Sequence, residues 1–506
     1  MKKALELIDI PENKTIALQK QRCQGQDNDF HSTSFREQNR LVLDITYMFD
    51  SPETTHLSRS DIEVLVPRVL KAHQMLLNDE GDIQDGSIPM TGWRDLPERI
   101  PPAHLAELKT MAREFTDRID AFVSLGIGGS YLGLEATFKA LTHQYFNQLN
   151  REDRGGAPEI YFLGQNTDPD YFRDTLDVLA HKRVGLNVIS KSGTTLETAA
   201  AFRIMEQLLE KNLGKKAKDL VLVTTDRAKG ALKSLATQKG YRTLIVPENI
   251  GGRFSILTDV GLFGLAMAKI DIAEFVAGFR HMRQVTLSGE FWQNPALVHA
   301  AVRYAAWQKG KKIEVVATNS TALYGVARWM EQLFPESEGQ AGHGLWVSPG
   351  LYSEKLHANG QMVQAGERNL IETFLYLKES NNTLAIPPDN DNFDGLNYLA
   401  LKHTDLNQIN RQVIEGPAYA HFRGGVPNMS VEIPRRNAFN LGQLYYLMEQ
   451  SVAISGYLFG HNPFIQPGVE AYKTALFALL GRPGYEEQAD RMKAEQQKLT
   501  RIRIYG

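Results

Sequence analysis

The strongest constraint on the fold is an alternation, beginning near residue 100, of short apolar runs with longer amphipathic segments. Each run has the length of a buried strand, and each amphipathic segment has the apolar spacing of a helix packed on one side. The runs are DAFVSLGI, EIYFLG, VGLNVIS, KDLVLVTTD and YRTLIVP, in chain order. Because parallel strands need crossover connections, this alternation predicts a parallel sheet covered by helices on both faces.

A second series of the same kind follows a helical stretch at about 260–310. Its apolar runs are KKIEVVATN, GLWVSPG, NLIETFLYL and MSVEIPRR. A chain of 506 residues is too long for one ordinary core, and two successive α/β domains fit it better than one very large sheet. We therefore predict an α/β fold with a helical N-terminal segment at 1–95, α/β domains at 96–275 and 276–460, and a helical C-terminal segment at 461–506.

The charge and the cysteine content argue against several classes of function. A formal net charge of -3 gives no broad attraction to nucleic acid or to an anionic membrane, so an anionic ligand needs a local site. The N-terminal sequence MKKALELIDIPENK breaks too early for a signal peptide, and no apolar run is long enough for a spanning helix. Cys23 is the only cysteine, which rules out an internal disulfide or a cysteine metal cluster and favours the cytoplasm.

A glycine-rich turn, SLGIGGS at 124–130, stands between a strand candidate and the helical segment YLGLEATFKAL. This arrangement places backbone N–H groups at a helix N-terminus, where they can bind an anion. A tight turn that needs glycine only for backbone freedom explains the motif equally well. A dinucleotide fingerprint is excluded, because Tyr131 stands where GxGxxG requires glycine or alanine.

The run SKSGTTLET, at 190–198, also follows a strand candidate and opens a helix. It holds five hydroxyl side chains within nine residues: Ser190, Ser192, Thr194, Thr195 and Thr198. A phosphate is bound well by such a set of neutral donors beside a helix N-terminus. The alternative is a capping box formed by Thr194 and Glu197, which leaves the density of hydroxyls unexplained. We therefore interpret the run as a phosphate-binding loop.

These motifs belong to an ordered set that also includes PENIGGRFSILTDVGL, EQLFPESEGQ, HANGQMVQAG and QPGVEAYKTALFALLG. From about residue 90 to the C-terminus, the set resembles the glucose-6-phosphate isomerase family. The resemblance implies two sugar-isomerase (SIS, flavodoxin-like) parallel-sheet domains, a homodimer with shared active sites, and no metal or other cofactor. SKSGTT in place of SKTFTT, Pro335 and Pro467 indicate the bacterial type.

The resemblance also implies roles for individual residues. Gly129 and Ser130 would contact the sugar, and the phosphate loop would use Ser190, Lys191, Ser192, Thr195 and Thr198. Arg253 would lie near the reacting carbons, beside Gln332 and the catalytic base Glu336. His357 would open the sugar ring with help from Lys473, and Gln466 would contact the substrate.

The implied reaction is the reversible isomerisation of D-glucose 6-phosphate and D-fructose 6-phosphate, a step of glycolysis and gluconeogenesis. It moves a proton between C1 and C2 through an enediolate, so one carboxylate can both remove and return that proton. A protein that only senses a sugar phosphate would need the loop but not Glu336, His357 or Lys473. An isomerase that also accepts mannose 6-phosphate is not distinguished by these residues.

Overall fold

The computed structural model of the protein describes residues 30, 32–80, 88–504 and 506. The first 29 residues of the predicted helical N-terminal segment, which include Cys23, lie outside the described residues.

In the described part of the chain, ten strands form two five-stranded sheets. In chain order the strands are β1 (Val42–Asp44), β2 (Ala121–Leu125), β3 (Glu159–Leu163), β4 (Val184–Ile189), β5 (Val221–Asp226), β6 (Arg242–Val246), β7 (Ile313–Thr318), β8 (Trp346–Leu351), β9 (Leu370–Glu379) and β10 (Asn428–Arg435). Every apolar run singled out in the sequence lies on one of β2 to β10, so the α/β fold with two parallel sheets is confirmed.

Helices surround the sheets. They are α1 (Thr33–Gln38), α2 (Arg59–Glu63), α3 (Val66–Leu77), α4 (Leu96–Arg99), α5 (Pro102–Thr116), α6 (Leu132–Leu141), α7 (Pro169–Leu179), α8 (Leu196–Leu213), α9 (Ala231–Lys239), α10 (Asp259–Met267), α11 (Ile272–Thr286), α12 (Pro295–Gln308), α13 (Tyr324–Glu338), α14 (Gly360–Ala365), α15 (Asn397–Leu401), α16 (Leu406–Arg423), α17 (Ala438–Phe459), α18 (Pro467–Leu479) and α19 (Glu486–Lys498). Among the residues that the structure describes, no helix is long and apolar enough to cross a membrane.

The first sheet has the strand order β3-β2-β4-β5-β6, and all of its pairs are parallel. This order corresponds to the flavodoxin-like arrangement 2-1-3-4-5. β2, β4 and β5 are buried along their whole length, which explains their continuous apolar sequences. Ligands of such sheets bind beyond the carboxyl ends of the strands, where both β2 and β4 lead into the glycine turn and the hydroxyl-rich loop.

The second sheet has the order β1-β10-β9-β7-β8. Its pairs are parallel except the edge pair of β1 with β10, which is antiparallel. β1 lies in the segment expected to be helical, and its three residues are too few to give a strand pattern in the sequence. The N-terminal segment therefore contributes an edge strand to a sheet formed mainly by residues more than 250 positions later.

The long helix α17 is buried in the core of the protein. All 22 of its residues are buried, and the helix packs along α11. A Cβ on Gly278 would lie 2.0 Å from the carbonyl oxygen of Phe439, and a Cβ on Gly442 would lie 2.3 Å from that of Phe275. Glycine at these two positions therefore allows the backbones of α11 and α17 to approach closely.

Candidate active site

Arg253 is the centre of a cluster of candidate residues at the junction of the two sheet regions. Its side chain is 3% exposed, and it lies on the 3₁₀ turn Gly252–Phe254 that follows β6. Nη1 is 3.3 Å from Oε1 of Glu336 and donates to Oε1 of Gln466 at 3.1 Å. Burial lowers the pKa of Arg253, and the Glu336 carboxylate opposes this effect. The structure thus brings together three candidates that are far apart in sequence.

α13 presents the proposed base. Gln332 and Glu336 are one helical turn apart on this helix, and Nε2 of Gln332 donates to Oε2 of Glu336 at 2.9 Å. Pro335 lies inside the helix, but the two side chains still face the same side. Oε1 of Gln332 is buried and has no hydrogen-bond partner among the described residues. This free acceptor beside Glu336 suits a substrate hydroxyl.

The glycine turn lies directly against the Arg253 turn. A Cβ on Gly129 would be 2.0 Å from the carbonyl carbon of Gly252, and a Cβ on Gly128 would be 3.0 Å from Nε2 of Gln332. Gly128 also has a φ of +56°, a conformation that favours glycine. Ser130 ends this 3₁₀ turn, just before α6. The glycines are therefore needed here for close approach as well as for backbone freedom.

The hydroxyl-rich loop connects β4 to α8. The structure rejects the capping box: Thr195 is the N-cap residue of α8 and its side chain makes no capping hydrogen bond. The hydroxyls of Ser192 and Thr194 instead lie 3.0 Å apart, and those of Ser190 and Thr195 lie 3.5 Å apart. The Thr198 hydroxyl is buried without a partner among the described residues. A buried hydroxyl without a partner, in a hydroxyl-rich loop beside a helix N-terminus, fits an anion better than a cap.

Lys191 connects this loop to the arginine turn. Its Nζ donates to the carbonyl oxygen of Glu248 at 2.6 Å and lies 3.3 Å from that of Ile250. Burial lowers the pKa of Lys191, which Asp226 and Glu248 oppose. The ammonium group thus ties the loop to the segment that leads to Arg253.

Gln466 and Lys473 lie at the start of the C-terminal segment. Gln466 precedes α18 and receives the hydrogen bond from Arg253. Lys473 is two turns further along the helix, where its Nζ pairs with Glu470 at 2.9 Å. The structure therefore places Gln466 in the cluster and leaves Lys473 engaged with its own helix.

His357 stands apart from the other candidates. It is exposed and ends the 3₁₀ turn Glu354–His357 after β8. Within the described residues, no hydrogen bond or ion pair joins His357 to Glu336 or Arg253. The structure of one chain thus does not unite the proposed ring-opening group with the proposed base.

Ser337 is a member of the cluster that sequence reasoning missed. Its Oγ accepts a hydrogen bond from Nε of Arg253 at 2.7 Å and donates to the carbonyl oxygen of Leu333. Nη2 of Arg253 donates to the carbonyl oxygens of Pro463 and Ile465 at 2.6 and 3.3 Å. These contacts depend on tertiary packing, and only the position of Ser337 beside Glu336 could have suggested a role.

The cluster offers acid–base and hydrogen-bonding groups rather than metal ligands. Across the described ranges, no group of three or more His, Cys, Asp or Glu side chains is arranged to hold a metal ion. A carboxylate in such a cluster can transfer a proton. The buried cation and the amide groups beside it can stabilise a negatively charged oxygen. The hydroxyl-rich loop after β4, at the same edge of the first sheet, offers donors for an anionic group.

Comparisons with known proteins agree with this chemistry. A family model described as Phosphoglucose isomerase matches residues 110–344. Glucose-6-phosphate isomerase of Acetivibrio thermocellus is 42% identical over 426 residues, which are 84% of this chain and 94% of the relative. The enzyme of the same name from Bacillus thuringiensis strain Al Hakam is 45% identical over 405 residues, 80% of this chain and 88% of the relative.

Solved structures show the same fold. A hypothetical protein of Thermus thermophilus superposes with a TM-score of 0.76 at 27% identity, covering 87% of this chain and 99% of that protein. A glucose-6-phosphate isomerase of Chlamydia trachomatis superposes with a TM-score of 0.68 at 18% identity, covering 88% of this chain and 90% of that protein.

Proposed function

The chain belongs to the phosphoglucose isomerase family, and from this premise we propose that it interconverts D-glucose 6-phosphate and D-fructose 6-phosphate in glycolysis and gluconeogenesis. The observation that carries the chemical part of the proposal is the contact set of Glu336. Its two carboxylate oxygens face Arg253 at 3.3 Å and Gln332 at 2.9 Å. A carboxylate held in this way can take a proton from carbon and return it.

Glu336 is the proposed base. It removes the C2 proton of open-chain glucose 6-phosphate, the electron pair of the C–H bond forms the C1–C2 double bond, and the resulting carboxylic acid returns the proton to C1. A proton is also lost from the C2 hydroxyl and gained by the C1 oxygen. The negative charge that develops on these oxygens is stabilised by Arg253, whose guanidinium is fixed before the reaction begins.

The loop at 190–198 is the proposed phosphate site. Its hydroxyl side chains, among them that of Thr198, which has no partner among the described residues, and the first backbone N–H groups of α8 supply neutral donors to the phosphoryl oxygens. The glycine turn with Ser130 is the proposed contact of the sugar chain. Binding energy from the phosphate group positions C1 and C2, which are distant from it, at the base.

His357 and Lys473 are the proposed groups for ring opening, and we place His357 in the active site of a second subunit. The exposure of His357 and its separation from the Glu336 contacts support this assignment. Phe393 and Leu401, which are 93% and 81% exposed, suit a surface covered in a homodimer. The single cysteine and the hexose phosphate substrate suit the cytoplasm.

The proposed activity is tested with fructose 6-phosphate and EDTA-treated protein, with formation of glucose 6-phosphate as the readout. Glu336→Gln should lower kcat by about 10²- to 10⁴-fold and stop exchange of the C2 proton with solvent, while binding changes little. Glu331→Gln is the matched control, since Glu331 is an exposed glutamate on the same helix. Isomerisation at the wild-type rate by the Glu336 variant would remove it from the role of base. Mannose 6-phosphate, added as a second substrate, measures the breadth of the activity.

Sharing of sites between subunits is tested by mixing two inactive variants. Glu336→Gln and His357→Asn are co-expressed, so that a mixed dimer contains one site in which both residues are intact. Recovery should approach about one quarter of the wild-type activity, because half of the dimers are mixed and each has one intact site. A site built from one chain alone would give no recovery.

A further inference from the structure

The last turn of α13, which carries Glu336, has a gap in its backbone hydrogen bonding. Pro335 lies in this turn and has no N–H to donate to the preceding turn. The backbone bond from Gly339 to the carbonyl oxygen of Pro335, at 2.8 Å, closes the helix end. The direction of the Glu336 side chain therefore depends on the side-chain contacts that hold this turn.

Glu338, the final residue of α13, makes such contacts on the opposite side of the helix. It is fully buried, and its Oε1 lies 2.6 Å from Nη1 of Arg303 and accepts a hydrogen bond from Ser455 at 2.5 Å. Nη2 of Arg303 reaches its Oε2 at 3.3 Å. Arg303 belongs to α12 and Ser455 to α17, so two buried helices hold the end of α13.

Arg303 contacts α13 a second time. Its guanidinium lies 4.1 Å from the centre of the Phe334 ring, one turn before Glu338. Because successive residues are about 100° apart around a helix, Phe334 and Glu338 share one face and Glu336 points about 200° away from them. Fixing the Phe334–Glu338 face against Arg303 therefore fixes the direction of Glu336 toward Arg253.

A second carboxylate shares the same arginine. Glu314 on β7 lies 2.7 Å from Nη2 of Arg303 and accepts a hydrogen bond from Thr373 at 2.6 Å. Burial opposes ionisation of both carboxylic acids, and Arg303 favours it. For Glu314 the effect of Arg303 is the larger and its pKa is lowered, whereas for Glu338 burial is the larger effect and its pKa is raised. Such a buried ionic cluster adds little net stability compared with apolar packing, but it can fix geometry.

We propose that Arg303 and Glu338 are positioning residues for the isomerisation, which hold the last turn of α13 so that Glu336 faces Arg253 and Gln332. The inference rests on the proposed function. Neither residue touches the substrate in this account, and both act through the orientation of the base.

The matched test compares Glu338→Gln with Glu314→Gln in the full-length protein. Both residues are 0% exposed, and each variant leaves Arg303 with one carboxylic partner, so the two variants are matched in burial and in the group that is replaced. Glu338→Gln should lower kcat about tenfold, with KM within about twofold, because the base is misplaced by part of an ångström while the phosphate loop is unchanged. Glu314→Gln should stay within about twofold of wild type in both constants.

A second pair of variants makes smaller changes and keeps the test informative if the first pair does not fold. Ser455→Ala removes one donor from Glu338, and Thr373→Ala removes the corresponding donor from Glu314. Far-UV circular dichroism and thermal melting establish the folded fraction, and kcat is expressed per folded protein. In this pair, too, only the variant on the Glu338 side should lower kcat.

Equal kcat values within the folded pair, whether unchanged or reduced alike, would overturn the positioning role. Exchange of the C2 proton should fall in parallel with kcat in the Glu338-side variant, because proton abstraction is the affected step. A wild-type protein without isomerase activity would instead contradict the proposed function, so the two failures are distinguishable.

Discussion

The close contact between the glycine turn and the Arg253 turn makes Gly129→Ala an informative change. The added Cβ would lie 2.0 Å from the carbonyl carbon of Gly252 and 2.5 Å from the backbone nitrogen of Arg253. Ordinary van der Waals contact begins near 3.4 Å. Because both neighbours are backbone atoms that cannot rotate away, one turn must move by about 1.4 Å relative to the other.

This movement should misplace the guanidinium of Arg253 relative to Glu336. A displacement of about 1 Å at a reacting centre costs about 100-fold in rate, so kcat/KM for fructose 6-phosphate should fall by about that factor. The proposed phosphate loop at 190–198 lies on a separate strand connection, and inhibition by inorganic phosphate should change by less than about threefold. Overpacking of this kind costs about 1–3 kcal/mol, which should lower Tm and leave the protein folded at 25 °C.

Gly251→Ala provides the control. It makes the same substitution in the same segment, but its Cβ would meet nothing closer than the Phe254 ring at 3.9 Å. The control should retain nearly all of its activity. Retention of more than half of the wild-type kcat/KM by Gly129→Ala, or an equal loss of activity in both variants, would refute a role for this close contact.

Two further substitutions test the phosphate loop and a pH-dependent contact. Thr198→Val removes a buried hydroxyl without a partner among the described residues, so Tm should stay equal or rise while KM for fructose 6-phosphate increases about tenfold; an unchanged KM would contradict a phosphate contact. His104 lies 2.6 Å from Asp259, and this hydrogen bond raises the pKa of His104 above 6.5. The contact therefore stabilises the fold fully below pH 6.5 and less as pH rises through the folded-state value, so His104→Asn should lower Tm more at pH 6 than at pH 9, and a constant difference would refute the linkage.

Local sequence patterns predicted most of the two sheets, and they are clearest for β2, β4 and β5, which are buried along their whole length. A strand such as β4 has six buried residues in succession, and the pattern is visible without any knowledge of its partners. β1 could not be predicted in this way, since its three residues are partly exposed and are paired only with β10 in the described part of the chain. Its conformation is set by a partner strand nearly 390 positions away, and no local pattern encodes such a pairing.

In the candidate site, too, some features can be predicted from the local sequence, whereas others are decided by the folded structure. The loop at 190–198 could be recognised because a strand, a glycine and a helix start follow one another in the sequence. The alternative that was set aside, a capping box of Thr194 and Glu197, is absent from the structure, because the helix begins at Leu196, and Thr195 rather than Thr194 takes the N-cap position. A difference of one residue in a helix start is below the resolution of sequence patterns.

The contacts of Arg253 show that its guanidinium is held in place, as its proposed role in stabilising negative charge requires. Nε is held by Ser337 and Nη2 by the carbonyl oxygens of Pro463 and Ile465, so the guanidinium cannot turn to follow a ligand. Nη1 makes its contacts at 3.1 and 3.3 Å, to Gln466 and Glu336, and this is the end that faces the proposed base. Electrostatic stabilisation is most effective when the charge is fixed in advance, because no reorganisation is then needed in the transition state. It follows that the substrate must be brought to the arginine, and the proposed phosphate site at 190–198 on the first sheet is the element that can do so.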